Sequence, residues 1–173
     1  MQDQPSVRST LIDGFAFAET GKSVRGRWAV SKLTRLRDLV SSSEGELQYE
    51  VRGATVEFGR PALAVSVSGT LQLMCQRCLK EMGFPLRLEA TLILAKSEAE
   101  IEAQPVDPEG PDRVVGSREM EVGTLLEDEI LLAIPFAPRH ERCSGDPAEK
   151  GEAQVSPFAD LRGLLNRGGR AGN

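Results

Sequence analysis

Period-two alternation dominates the middle of the chain. Leu47, Tyr49 and Val51 are separated by Gln48 and Glu50, and Leu63, Val65, Val67, Leu71 and Leu73 repeat the pattern. An interruption near Gly69 suggests a β-bulge there. A further strand runs from about Phe84 to Ala95, with Leu86, Leu88, Ala90, Leu92 and Leu94 on one face. Strands that alternate in this way bury one face and wet the other. Cys75-Gln76-Arg77-Cys78 falls between the last two, which predicts a hairpin with a cysteine turn at its tip. Helical spacing takes over at Leu125, Leu126, Glu129, Ile130, Leu132, Ala133 and Ile134, after Gly123-Thr124 and before Pro135. Glu127, Asp128 and Glu129 fall in the first half of that helix, where the dipole favours acids, and a solvated position is expected for them. Leu33, Leu36, Leu39 and Val40 after Ser31 predict a short helix whose other face carries Lys32, Arg35 and Arg37. Ser156 and Pro157 form an N-cap and N1 pair for a short amphipathic helix through Phe158, Leu161, Leu164 and Leu165. Neighbouring strands without helices between them predict an α+β domain on an antiparallel sheet, packed with a few short helices.

With 173 residues, 40% apolar and 27% charged, the chain is long enough to build a core without disulfides or a metal. No window approaches the ~18 apolar residues of a membrane span, and Met1 to Thr10 has no signal-peptide core, so a cytoplasmic protein without a membrane partner is expected. Charge is segregated. Lys22, Arg25, Arg27, Lys32, Arg35 and Arg37 occupy Thr20 to Arg37 with no acid, so the net −5 is a +6 segment set against a remainder of −11. Between Ser97 and Asp112 lie six acids, three prolines and no base, a composition that predicts a loop. The organisation expected is one α+β domain over 1–143, with an acidic loop at 97–112. A linker, the short terminal helix and a basic tail would follow over 144–173.

Cys75, Cys78, His140 and Cys143 are the entire Cys and His content of the chain. They fall in two pairs, Cys-x2-Cys and His-x2-Cys, which suits a closed structural zinc site of the Cys3His type. Two other readings stand beside it: unliganded, half-buried cytosolic cysteines, and a redox dithiol at Cys75 and Cys78. Catalysis finds little support. No phosphate-cradling glycine motif occurs, and nothing points to a small-molecule substrate. A thiol-dependent enzyme acting through Cys75 or Cys143 with His140 is the catalytic alternative, and Glu127, Asp128 and Glu129, pointing in different directions on a helix, are poorly placed to chelate a divalent ion together.

The string Cys75-Gln76-Arg77-Cys78-Leu79 is followed in order by Leu126 to Pro135, by Pro138-Arg139-His140 and Cys143, and by Pro157-Phe158-Ala159-Asp160-Leu161. This series resembles the YceD family, the bacterial and plastid large ribosomal RNA subunit accumulation proteins, over roughly residues 45–165. The resemblance implies a cytoplasmic, non-enzymatic factor for synthesis, processing or stability of 23S ribosomal RNA in 50S biogenesis. Its partners would be precursor 23S rRNA or a 50S assembly intermediate, and also ribosomal proteins. Cys75, Cys78, Glu127, Asp128 and Glu129 fall on family positions, the acids without an assigned role, and no catalytic residue carries over. If RNA is contacted, Lys22, Arg25, Arg27, Lys32, Arg35 and Arg37 are the residues to neutralise phosphates, and Trp28 is the stacking candidate. The bland alternative is a solvated face and strand edge with Trp28 in the core. A different class of function is an adaptor whose acidic loop and terminal helix bind a basic ribosomal protein.

Overall fold

A computed structural model describes residues 10–143 apart from 106 and 109. The expected linker, terminal helix and basic tail lie outside the described residues. Contacts divide the chain after His140. The first unit is the α+β body, and the described part of the second is Glu141–Cys143.

In chain order the elements are β1 (Leu11–Ile12), α1 (Gly14–Thr20), β2 (Ser23–Ala29), β3 (Val40–Ser42), β4 (Glu46–Val56), β5 (Arg60–Met74), β6 (Glu81–Ala95), α2 (Glu98–Glu102), β7 (Asp112–Val115), β8 (Met120–Glu121) and α3 (Val122–Ala133). The main sheet has the order β2-β4-β5-β6-β7, with β3 pairing β5, and β1 pairs β8 separately. All pairs are antiparallel except β6 with β7. This is the expected α+β architecture, with the cysteine turn joining β5 to β6.

Alternation explains the layers. One row across the sheet is Gly26, Tyr49, Val67 and Leu88; the next is Arg25, Glu50, Ser66 and Glu89. The first kind of row meets the core and the second faces water. Leu47 and Val51 of β4, Leu63, Leu71 and Leu73 of β5, Leu86 and Leu92 of β6, and Leu126 and Ile130 of α3 are fully buried, and Phe17 of α1 is buried in the same core. Each such leucine contributes roughly 1.5–3 kcal/mol. Gly53 lets α1 cross the sheet: a Cβ there would lie 2.0 Å from the Phe17 carbonyl oxygen.

Several local expectations are corrected. Residues 30–39 form a 3-10 turn at Val30–Lys32 and further turns, not an α-helix. Leu33 and Leu36 are buried, but the Arg35 N–H donates to Glu127 Oε1 (3.4 Å) rather than to a helical carbonyl. The basic residues before them lie on β2, whose core-facing Val24, Gly26 and Trp28 alternate with Arg25 and Arg27. No bulge occurs between β5 and β6 at Gly69, which pairs with Leu86 in uninterrupted register. Glycine suits this position, since a Cβ would lie 2.6 Å from Leu47 Cδ2 and 3.0 Å from the Glu46 carbonyl oxygen. The acidic segment is not all loop. Ser97 caps α2 by accepting the Glu100 N–H, and the Glu100 carboxylate accepts the Lys96 N–H (2.7 Å). Acids at a helix N-terminus are favoured, which offsets their mutual repulsion.

Candidate metal centre

The cysteine turn is built by local hydrogen bonds between the ends of β5 and β6. The Cys75 N–H donates to the Lys80 carbonyl and the Leu79 N–H to the Cys75 carbonyl, both at 2.9 Å. Leu79 closes the turn at φ 55°, a left-handed conformation that costs an L-residue roughly 1–2 kcal/mol. From the other side, α3 stops at Ile134 because Pro135 has no N–H to continue the ladder. The chain beyond it docks on the turn. The Gln76 N–H donates to the Pro138 carbonyl (2.8 Å), and Arg77 Nη2 donates to the His140 carbonyl (3.3 Å).

This docking places His140 beside two cysteines. Cys78 Sγ lies 3.4 Å from His140 Nδ1, and the His140 N–H donates to Cys75 Sγ at 3.4 Å. Cys143 follows three residues later, and one ligand atom from each of Cys75, Cys78, His140 and Cys143 lies within 4.8 Å of the others. Two ligands of one tetrahedral zinc, at the usual Zn–S and Zn–N lengths, would be about 3.6 Å apart. The donor set therefore fits a closed Cys3His site. Its electrostatics point the same way. Burial acts to raise the Cys75 thiol pKa, but backbone hydrogen bonds from Cys78, His140 and Arg77, with the His140 side chain, bring it down to about 5. The thiolate is the form a metal binds. None of the cysteines is in a disulfide; Cys75 and Cys143 are buried and Cys78 half-buried, which suits ligands better than a nucleophile that must meet a substrate.

The other predicted residues separate. Arg25 and Arg27 are exposed on the open face of β2, where Arg27 makes an exposed ion pair with Glu46 at 3.7 Å. Lys22 precedes β2, and Lys32, Arg35 and Arg37 are exposed in the turns after it, so the six bases do not share a helix face. Trp28 is only 3% exposed and belongs to the core, so it cannot stack on a nucleobase. The acids on α3 correct the expectation of a solvated helix start: Glu127 is 3% and Glu129 6% exposed, while Asp128 pairs with Arg35. Glu127 and Asp128 clasp the segment after β2 to α3 through Arg35, a role that no spacing rule within either segment could reveal. Sequence reasoning also missed Arg52 and Arg87, which share the open sheet face with Arg25 and Arg27. Their alternation with core residues was the available signal. Two shallow furrows lie on that face, one flanked by Arg25, Arg27, Gln48 and Ser68, the other by Arg52, Ser66, Glu89 and Thr91.

A one-sided sheet carrying a Cys3His group at a hairpin tip defines a small α+β protein with a candidate structural metal site. No helix among the described residues is long and apolar enough to cross a membrane. The family model for the large ribosomal RNA subunit accumulation protein YceD matches residues 63–165, more than half of the chain, and the chain belongs to that family. The match spans the Cys turn, α3 and the His-x2-Cys segment. No solved structure matches the chain.

Proposed function

We propose that this chain is a non-catalytic cytoplasmic factor for synthesis, processing or stability of 23S rRNA during 50S assembly, acting by direct contact with precursor rRNA or an early assembly particle. Family membership supplies the link to large-subunit RNA. The observation that carries direct contact is the exposure of Arg25 and Arg27 on β2, an edge strand of the main sheet. The ion pair of Arg27 with Glu46 is exposed and worth at most about 1 kcal/mol, so a phosphate can displace it. Lys22, Lys32 and Arg37 extend the basic surface. Arg35 contributes less, since it is committed to Asp128. In this reading Cys75, Cys78, His140 and Cys143 hold a structural Zn2+ that fixes the tip and supplies no chemistry.

Filter binding of a precursor 23S transcript at two salt concentrations tests the reading. Lys22→Glu, Arg25→Glu, Arg27→Glu and Arg37→Glu together should weaken binding and reduce the slope of log K against log salt by roughly 0.7–0.9 for each phosphate that is no longer neutralised. Unchanged affinity and slope would remove direct binding through this surface. The adaptor reading draws on the exposed acids Glu98, Glu100 and Glu102 of α2. It predicts instead that neutralising them abolishes capture of a basic ribosomal protein.

A further inference from the structure

The tip has a property that the metal ligands do not explain. Residues 75–80 and 134–140 contain Arg77, Lys80 and Arg139 and no acid, on a chain of net charge −5. The hydrogen bonds of Gln76 to Pro138 and Arg77 to His140 join these two stretches into one surface. All three bases are exposed. Two large apolar side chains stand out in water among them. Phe136 is completely exposed, and Leu79 is 71% exposed although its backbone is held in the left-handed region. A fully exposed aromatic ring, on a loop that also carries Arg139 and is hydrogen-bonded to the turn bearing Arg77 and Lys80, offers what an unpaired nucleobase and its flanking phosphates require: a stacking face and neutralising charge.

We propose that the surface formed by Arg77, Leu79, Lys80, Phe136 and Arg139 binds single-stranded RNA, with a base stacked on Phe136 and phosphates on the three cations. This rests on the reading that the protein acts directly on ribosomal RNA, and it adds a second contact, distinct from the β2 face, that prefers unpaired nucleotides. The ring reads no sequence, because every base offers a π-face; the preference is for accessibility of the base. A paired stem would meet only the cations.

Fluorescence anisotropy of full-length protein with a labelled oligouridylate, and with a duplex of equal length, tests the proposal. Phe136→Ala should weaken single-strand binding roughly tenfold and leave duplex binding unchanged, and Phe136→Trp should restore it. Lys80→Glu with Arg139→Glu should lower the single-strand salt slope by about 1.4. Each variant should keep wild-type metal content and thermal stability, since none of the three side chains is buried. If these variants bind oligouridylate as the wild type does, the tip proposal is wrong while contact through β2 stands. Binding of the wild type to the 23S transcript but not to oligouridylate likewise overturns the tip proposal alone. A wild-type protein that binds neither RNA overturns both. Loss of a bound ribosomal protein in Phe136→Ala, with RNA affinity intact, would make the tip a protein-docking surface and overturn the RNA assignment.

Discussion

Glu127 and Glu129 are neighbours on one helix, yet burial gives them different consequences. Glu127 accepts the backbone N–H of Arg35, 92 positions away in sequence. Removing a buried acceptor leaves that donor with the desolvation cost of an unmade bond. Glu127→Ala should therefore lower the unfolding free energy in urea by about 2 kcal/mol, and Glu127→Gln, which keeps an acceptor, by clearly less. Equal losses for the two variants would show that the hydrogen bond is not what the buried side chain contributes. Glu129 is raised in pKa by burial and by the nearby carboxylates of Asp112 and Asp128. Its folded-state pKa lies above its unfolded value near 4.5, so ionising it opposes folding. The opposition is absent below the unfolded pKa, grows as pH rises from there towards the folded pKa, and is complete above it. Glu129→Gln should accordingly stabilise the protein more at pH 7 than at pH 4 in parallel denaturant titrations. A pH-independent difference would contradict the assignment.

Elements read well from sequence where one face of a strand is buried and the other wet, and poorly where a side chain from a distant segment decides the backbone. β4, β5 and β6 were legible because Leu47, Val67 and Leu88 alternate with polar neighbours. Their hairpin tip, and with it the pairing of the Cys-x2-Cys turn with the His-x2-Cys loop, was legible because the chain holds no other Cys or His. β2 was hidden because its core-facing positions include Gly26, a weak strand signal; a Cβ at that position would lie 2.9 Å from the Tyr49 hydroxyl. Residues 33–40 had helical spacing, but the bond from Arg35 to Glu127 diverts the backbone. α1 is seven residues long and has too little periodicity to stand out; what holds it is Asp13, whose carboxylate accepts the Ala16 N–H, and its crossing at Gly53. The crossing makes a sharp prediction. Gly53→Ala puts a methyl group 2.0 Å from a backbone oxygen, where no rotamer change can relieve it. A loss of about 3 kcal/mol is expected by thermal or urea unfolding. A loss under about 0.5 kcal/mol would mean that α1 does not press on β4 in solution.

At the scale of the whole molecule, the main core lies on the side of α1 and α3, the opposite sheet face is open except where Ala62, Ile93 and Ala95 are buried, and the hairpin tip has little apolar burial of its own. Leu79 and Phe136 are exposed there, and burial at the tip is confined to small side chains such as Cys75 and Pro138. Order at the tip depends on the hydrogen bonds from Gln76 and Arg77 and on whatever joins the cysteines to His140. The structural metal proposed above would supply that join, since its binding free energy becomes folding free energy wherever the site is absent from the unfolded chain. Protein purified without added metal should then contain close to one zinc per chain. Cys78→Ser should lower that content sharply and cost about 2 kcal/mol or more in stability. The loss should also be local. Amide exchange should accelerate at residues 75–80 and 134–140 and in the last turn of α3, which leads into the docked loop. The ladder between β4 and β5, anchored by Val51, Val65 and Val67 in the core, should keep its protection. Metal-free protein as purified, together with a Cys78→Ser variant that melts and exchanges like the wild type, would return the four residues to the status of thiols and an imidazole that merely pack together.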